Sequence, residues 1–357
     1  MNRIQELITR IPEDLDAVLI TSSVNRQYYT GMHSSAGMLF ATRQKTYFLI
    51  DFRYIELAKK TVRDAEVILQ HETGKDQLQE IVQRDNIKKV GIESGHLTVS
   101  DYIKFQEYLA PAEIAFDNSV NETIEKQRRI KSEQELKAIE TCQELTDRTF
   151  THILDFIREG RTEKEIALEM EFFMRKNGAD DVAFSTIVVS GVNSSMPHGV
   201  PSDKKVKKGD FVTMDFGAEI GGYRSDMTRT VAVGQVDDEH RRLYDTVLKA
   251  QLAALDAVAV GKVCSDIDKV ARDLIYGAGY EGCFGHGLGH SVGLEIHESP
   301  RFSTTCSDIC EPGLIMTVEP GIYLEGRFGC RIEDMIYITP SGQVKDLTKS
   351  PKELICL

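Results

Sequence analysis

The stretch FGHGLGHSVGLEIHE, residues 284–298, holds three of the chain's nine histidines, His286, His290 and His297, among four glycines. Imidazole at this density suits metal ligation or proton transfer near neutral pH. His286 and His290 stand four apart, the spacing of a helical zinc site, but only Gly-Leu-Gly separates them and no glutamate follows the first histidine. The glycines at 285, 287, 289 and 293 would each cost a helix about 1 kcal/mol relative to alanine. The stretch is therefore expected to be extended or looped, and in an extended chain residues 286 and 290 share a face. A single histidine here reads more readily as a donor to backbone carbonyls. Three together require carboxylate partners to become a site.

Candidate partners lie on strand-like runs. In DFVTMDFGAEIGGYRSDMTRTVAV, residues 210–233, two apolar-alternating runs flank Gly221-Gly222, a two-residue hairpin signal. A turn at Ile220–Tyr223 sets Asp226 opposite Gly217, on the same strand face as Asp215. The two aspartates are then diagonal neighbours with Cα atoms roughly 7–8 Å apart, provided no bulge intervenes. Carboxylates converging from that separation can hold a pair of metal ions about 3.5–4 Å apart. Met214, Phe216, Thr228 and Thr230 leave few charges nearby, which weighs against a plain solvated face. Glu219, Arg224 and Arg229 read as surface charges. Glu319 closes the apolar run LIMTVE before a Pro-Gly turn, and Glu333 shares a face with Arg331 in CRIEDMIYIT. Asp334, on the opposite face, has no evident role.

Four clustered carboxylates repel, and without cations some must take up protons. Two divalent cations neutralise four carboxylates, and one neutral imidazole completes the set. Such a dinuclear site lowers the pKa of a bridging water and supplies hydroxide near neutral pH. Oxygen-rich ligation with one imidazole suits Mn²⁺, with Co²⁺, Zn²⁺ and Fe²⁺ also compatible.

The elements that must position these groups are legible in outline. Residues 16–21, 45–51, 65–70 and 88–93 read as short strands, with helices near 52–62, 75–85 and 99–109, an α/β alternation. Residues 112–132 are polar and aperiodic in their middle, and the domain boundary is placed there. Ser132 with Glu135, and Thr162 with Glu165, form capping-box patterns opening two helices, the first ending at Gly160 and the second near Lys176. Two more helices are expected at about 239–259 and 265–276. Strand-like runs at 183–190, 210–219, 223–233, 313–319 and 331–338 point to helices on a largely antiparallel sheet, α+β.

A chain of 357 residues exceeds one ordinary core, so two domains are the default. A formal charge of −13 argues against sequence-independent nucleic-acid binding, which needs a basic surface. No run of 18 apolar residues is present, and the amphipathic, acid-bearing start lacks the apolar core of a secretion signal, so neither a membrane segment nor export is expected. Seven scattered cysteines, an odd number, fit reduced thiols in a cytoplasm; Cys306 and Cys310 read as loop thiols, because no second pair is spaced to complete a zinc site.

Taken together, MPHG at 196–199, DFGAEIGGYRSDMTRT at 215–230, GHGLGHSVGLEIHE at 285–298, TVEPGIY at 317–323 and CRIEDMIYIT at 330–339 resemble the pita-bread metallopeptidases: methionine aminopeptidase, aminopeptidase P and prolidase. The likeness spans most of residues 125–357, in the family's order and spacing. It implies an α/β N-terminal domain at 1–125 followed by an α+β pita-bread catalytic domain at 126–357. Carried over by motif, it makes Asp215, Asp226, His290, Glu319 and Glu333 the metal ligands, with Asp226 and Glu333 serving both ions. It sets His198 and His297 beside the substrate carbonyl and His286 in the pocket lining. Glu319 becomes the proton shuttle as well as a ligand, and Arg331 and Tyr323 orient the carboxylates from behind. The complete ligand set separates the chain from creatinase, a relative by fold that needs no metal.

Segment 1–125 resembles the N-terminal domain of the aminopeptidase P, prolidase and creatinase branch, which methionine aminopeptidases generally lack. The resemblance thus implies a homodimeric metalloexopeptidase with two divalent ions, which the cysteine usage places in a cytoplasm. Its substrate would be a peptide with proline at the second position, cleaved as by an Xaa-Pro aminopeptidase or an Xaa-Pro dipeptidase. A methionine-type aminopeptidase, or a non-catalytic binding module on the same fold, is the alternative. A dipeptidase needs a cation for the dipeptide carboxylate, and the sequence singles out no arginine for it. SVNRQYYTG at 23–31 reads either as a family loop reaching the site or as a strand-to-helix connection.

Overall fold

The computed structural model describes residues 2–357. The chain separates into two compact units, one ending at Arg128 and the other running from Arg129 to Leu357. The helix Ser119–Arg129 spans the boundary expected from the sequence.

The first unit is an α/β layer. Its six-stranded sheet has the spatial order Glu66–Leu69, Thr46–Ile50, Met38–Thr42, Ala17–Ile20, Lys89–Ile92, Glu113–Ala115. Met38–Thr42 pairs antiparallel on both sides, and the other pairings are parallel. Four strands match the sequence reading; Met38–Thr42 and Glu113–Ala115 are additions to it. Residues 23–30 form a helix rather than a loop. The Ser22 hydroxyl accepts from the Asn25 N–H to cap its start, and Gly31 in the left-handed region (φ 70°) ends it. The polar stretch at 112–132 is not aperiodic throughout: it holds a helix, because Val120, Thr123, Ile124 and Gln127 recur at helical spacing and are buried.

In the second unit every described strand pairing is antiparallel. The helix Glu133–Leu154 opens with the Ser132/Glu135 capping box, and Glu163–Lys176 with Thr162/Glu165. The first of these ends at Leu154, earlier than expected, with Gly160 in the connection beyond it. Two further helices, Asp238–Ala257 and Cys264–Gly277, pack on the sheets through Leu243, Val247, Ile267 and Ile275, against Phe211, Met316 and Ile336. Ile153, Met170, Val188 and Phe216 form a second cluster beneath the other two helices. Among the described residues no helix is long and apolar enough to cross a membrane.

Two features of this unit set up the site. The hairpin has the expected register, with Ile220 opposite Tyr223 and Thr228 opposite Asp215. Its ladder is interrupted at Gly217, where a Cβ would lie 1.8 Å from the Ser225 carbonyl oxygen. Only glycine permits that approach, and the break divides the hairpin into an outer half paired with Asp181–Val182 and an inner half paired with Ile187–Ser190.

Arg229, read as a surface charge, is 1% exposed. Its guanidinium donates to Asp334 Oδ1 at 2.7 Å and to the carbonyls of Thr228, Glu333, Ser350 and Pro351. Asp334, also fully buried, accepts in addition from Gln251 at 2.6 Å and pairs with Lys352. Arg229 and Asp334 lie about a hundred residues apart, and each looks solvent-bound alone. Replacing Arg229 by Met strands part of the Asp334 charge in the core. We expect a loss of about 3 kcal/mol in a denaturant titration, since breaking one side of a buried pair costs that order.

Candidate active site

The five expected ligands meet at one cavity of about 980 Å³ in the second unit. Each comes from a different place on the fold. Asp215 is on strand Phe211–Phe216, and Asp226 follows the Gly217 break on the return strand. His290 is central in Gly289–Ser291, Glu319 follows Ile315–Val318, and Glu333 lies in the link between Phe328–Arg331 and Asp334–Ile338. The histidine stretch is not helical, as its glycines required. A Cβ on Gly289 would lie 2.0 Å from the Thr317 carbonyl, so glycine there lets the His290 strand close on the Glu319 strand.

Donor atoms of Asp226, His290 and Glu333 lie within 4.8 Å of one another. His290 Nε2 is 3.6 Å from Asp226 Oδ2 and 3.4 Å from Glu319 Oε1. The opposite ring nitrogen, Nδ1, is 3.1 Å from the Ser291 carbonyl oxygen. A carbonyl only accepts, so Nδ1 carries the proton and Nε2 turns a lone pair toward the acids. Thr228 donates to Glu333 Oε2 at 2.6 Å and Thr317 to Glu319 Oε1 at 3.2 Å. Arg331, 3% exposed, spans the rear: its guanidinium donates to Asp215 Oδ2 at 2.6 Å, Thr228 Oγ1 at 2.9 Å and the Tyr323 hydroxyl at 2.8 Å.

Charge is crowded here. Burial, reinforced by Glu333, Asp215 and Glu319, raises the Asp226 carboxyl well above the carboxylate range. Burial and the charges of Glu319 and Asp215 do the same to Glu333. Glu319 is pushed up to about 8 by burial, an effect that Arg331 opposes and Asp215 reinforces. Burial holds His290 down at about 3 and His286 at about 4, so both rings are neutral at physiological pH. One Asp215 oxygen, Oδ1, is buried with no hydrogen-bond partner. Buried acids that repel, a neutral imidazole lone pair and an orphaned carboxylate oxygen together fit divalent cations, which would satisfy all three at once.

The accessory residues divide. His198, His286, His297 and Arg331 line the same cavity, whereas Tyr323 stands behind it. His286 does not join the donor set; its Nε2 is 2.9 Å from the Tyr323 hydroxyl. His198 and His297 are exposed on the cavity wall. Burial, then the Arg301 charge, lowers the His297 pKa. The sequence reading missed Arg301, which lines the cavity directly across the strand pair from His290. Its signal was faint: a lone cation in ESPRF, next to the histidine stretch.

Carboxylates gathered around one neutral imidazole, at the base of an open cavity in an antiparallel α+β unit, define a metallohydrolase centre. The chain belongs to metallopeptidase family M24, whose model matches residues 137–340, and residues 2–130 match the creatinase/prolidase N-terminal domain. An Xaa-Pro dipeptidase of Pyrococcus horikoshii is 38% identical over 343 residues, covering 96% of this chain and 95% of the relative. The solved structure of an Xaa-Pro dipeptidase from Bacillus anthracis matches with a TM-score of 0.95 at 40% identity, covering 99% of each chain. That of an X-Pro aminopeptidase from Thermotoga maritima MSB8 matches with a TM-score of 0.92 at 34% identity, covering 100% of each. The protein is thus a metallopeptidase of the pita-bread fold, a family whose chemistry rests on divalent metal ions.

Proposed function

We propose that the protein is an Xaa-Pro dipeptidase, holding two divalent ions, Mn²⁺ foremost, between Asp215, Asp226, His290, Glu319 and Glu333. One observation carries the dipeptidase reading: Arg301, a cation without a described carboxylate partner, stands in the cavity wall opposite His290. It supplies the charge that a dipeptide's C-terminal carboxylate needs, and arginine offers a two-pronged match to that group. Four acids and one imidazole support the dinuclear count by charge balance and the choice of Mn²⁺ by donor type. The scattered, odd-numbered thiols support a cytoplasmic location, and the resemblance of residues 1–125 supports a homodimer.

Bound divalent ions supply Lewis acidity and bring the pKa of water into the neutral range. This chain's own groups do the rest. Glu319 takes the proton of the attacking water on its carboxylate and delivers it to the departing proline nitrogen. His198 and His297 donate to the substrate carbonyl oxygen as it gains negative charge. A bond preceding proline has no N–H, so recognition rests on ring shape against Val182, Phe184 and Val200, with Arg301 fixing the far end. Arg331 holds Asp215 in place and, through Thr228, Glu333.

The test is a substrate panel with Mn²⁺ added: Xaa-Pro, Xaa-Pro-amide, Xaa-Pro-Yaa, Met-Ala-Yaa and creatine. Hydrolysis of Xaa-Pro far above the rest supports the assignment; equal turnover of Xaa-Pro-Yaa makes the protein an aminopeptidase of the same branch. Arg301→Ala is expected to raise KM for Xaa-Pro about 10- to 100-fold, the loss of one charge-assisted contact, and to leave any residual amide turnover unchanged. His290→Ala should weaken metal retention, whereas His286→Ala should keep the metal and lower kcat. Equal metal loss in both would remove His290 from its special place among the histidines.

A further inference from the structure

The cavity wall that carries His198 is the segment between Ser190 and Ser202, and a single buried side chain ties both its ends. Glu163, in the first turn of helix Glu163–Lys176, is 0% exposed. Its Oε1 accepts from the Ser190 N–H at 2.7 Å, the Ser190 hydroxyl at 2.9 Å and Asn193 Nδ2 at 3.1 Å. Its Oε2 accepts from the Ser202 hydroxyl at 2.6 Å, the Ser202 N–H at 3.1 Å and Asn193 Nδ2 at 3.1 Å. The described donors are all neutral.

A carboxylate withdrawn from water needs strong compensation, and here neutral dipoles and the helix N-terminus provide it. An apolar side chain would occupy this core position without that requirement. What the carboxylate adds is geometric: two oxygens, each accepting from a backbone N–H at opposite ends of one segment. Between those anchors the segment makes a 3₁₀ turn, Gly191–Ser195, and then presents Pro197-His198. Its middle rests on Arg331, whose Nη1 donates to the Pro197 carbonyl at 3.3 Å, and on the Ser194 hydroxyl, which accepts from the Gly329 N–H at 2.9 Å. His198 itself is exposed and makes no described hydrogen bond, so its placement is inherited from the segment.

We propose that Glu163 is a positioning residue for the hydrolytic reaction: by pinning Ser190 and Ser202 it sets the height of His198 above the carboxylate cluster. This rests on the role given to His198 under the proposed function. Glutamine cannot replace it, because its amide nitrogen would face a backbone N–H at one of the two ends.

The experiment is a double-mutant cycle on the Mn²⁺-loaded full chain, with Xaa-Pro as substrate and metal content and melting temperature measured in parallel. Glu163→Gln is expected to lower kcat about 10- to 30-fold with KM within about 3-fold and metal content unchanged. In a His198→Ala background the same change should alter kcat less than about 2-fold, since the group it positions is gone. If Glu163→Gln slows His198→Ala as much as it slows the wild type, the inference is overturned while the function stands. If His198→Ala alone leaves kcat unchanged, the role of His198 fails and this inference with it. Should Glu163→Gln not fold, Ser202→Ala removes one hydroxyl anchor at lower risk. It should lower kcat about 3-fold in the wild type and not in His198→Ala, and equal slowing in both backgrounds overturns the inference.

Discussion

Glu319→Gln is expected to lose about 10³-fold or more in kcat at saturating metal, with Xaa-Pro binding little changed. The carboxyl sits 3.4 Å from His290 Nε2 and accepts from Thr317. Glutamine has the same shape and its oxygen can still accept from Thr317, so the wall of the cavity survives. What disappears is a group able to take a proton and return it. General acid–base catalysis is worth about 10²- to 10⁴-fold, and the lost donor oxygen also weakens metal retention. The two effects separate experimentally. A metal titration reads the second, and kcat at its plateau reads the first. A plateau kcat equal to that of the wild type would remove Glu319 from proton transfer.

The second large effect concerns the metal-free protein, whose stability should fall as pH rises from about 5 to about 8. Glu319 has a native pKa of about 8, well above the ordinary range near 4.3 that it regains on unfolding. Between those values the native state keeps a proton that the unfolded chain has released, so raising the pH favours unfolding. Asp226 and Glu333 are displaced in the same direction. His290 and His286 act oppositely: with native pKa values of about 3 and 4, they cost stability as pH falls below about 6.5. Below about 6.5 the imidazoles offset only part of the carboxyl trend, so the metal-free protein should be most stable toward the acidic end of the Glu319 limb, at about pH 5.

Glu319 alone accounts for about 3–5 kcal/mol across the alkaline limb, or roughly 5–15 °C in the melting midpoint. Divalent ions cancel the repulsion and should flatten that limb. Glu333→Gln should do so without metal, raising the metal-free midpoint at pH 8 while reducing metal affinity by about 10³-fold. The check is thermal melting at pH 5.5, 7 and 8.5 with and without Mn²⁺. Parallel profiles in the two conditions would mean that the acids do not repel as their packing requires.

Much of this was legible in the residues because it is local. The Gly221-Gly222 turn sets the hairpin register, which puts Asp215 opposite Thr228 and Asp226 one step beyond Met227. Two capping boxes mark helix starts at the expected residues. Glycine spacing excludes a helix for the histidine stretch. Each of these is decided by turns, caps and periodicity within about ten residues, before any long-range contact forms. The helices at 23–30 and 119–129 escaped notice because their apolar positions are few and partly replaced by Tyr, Thr and Gln, whose burial depends on neighbours.

The donor types, the strand faces of Asp215 and Asp226 and the two-domain order follow from residue identity and short-range pattern. That Arg229 is a core residue, that Arg301 faces the cavity and that Glu163 anchors the His198 segment emerge only from long-range packing. The reason is physical: a charged side chain's place depends on partners supplied from far along the chain. Arg229 meets Asp334, and Glu163 meets Ser190 and Ser202, only once the sheets and helices have packed; Arg301 lies near His290 in sequence, but the cavity it faces is assembled from strands far from both.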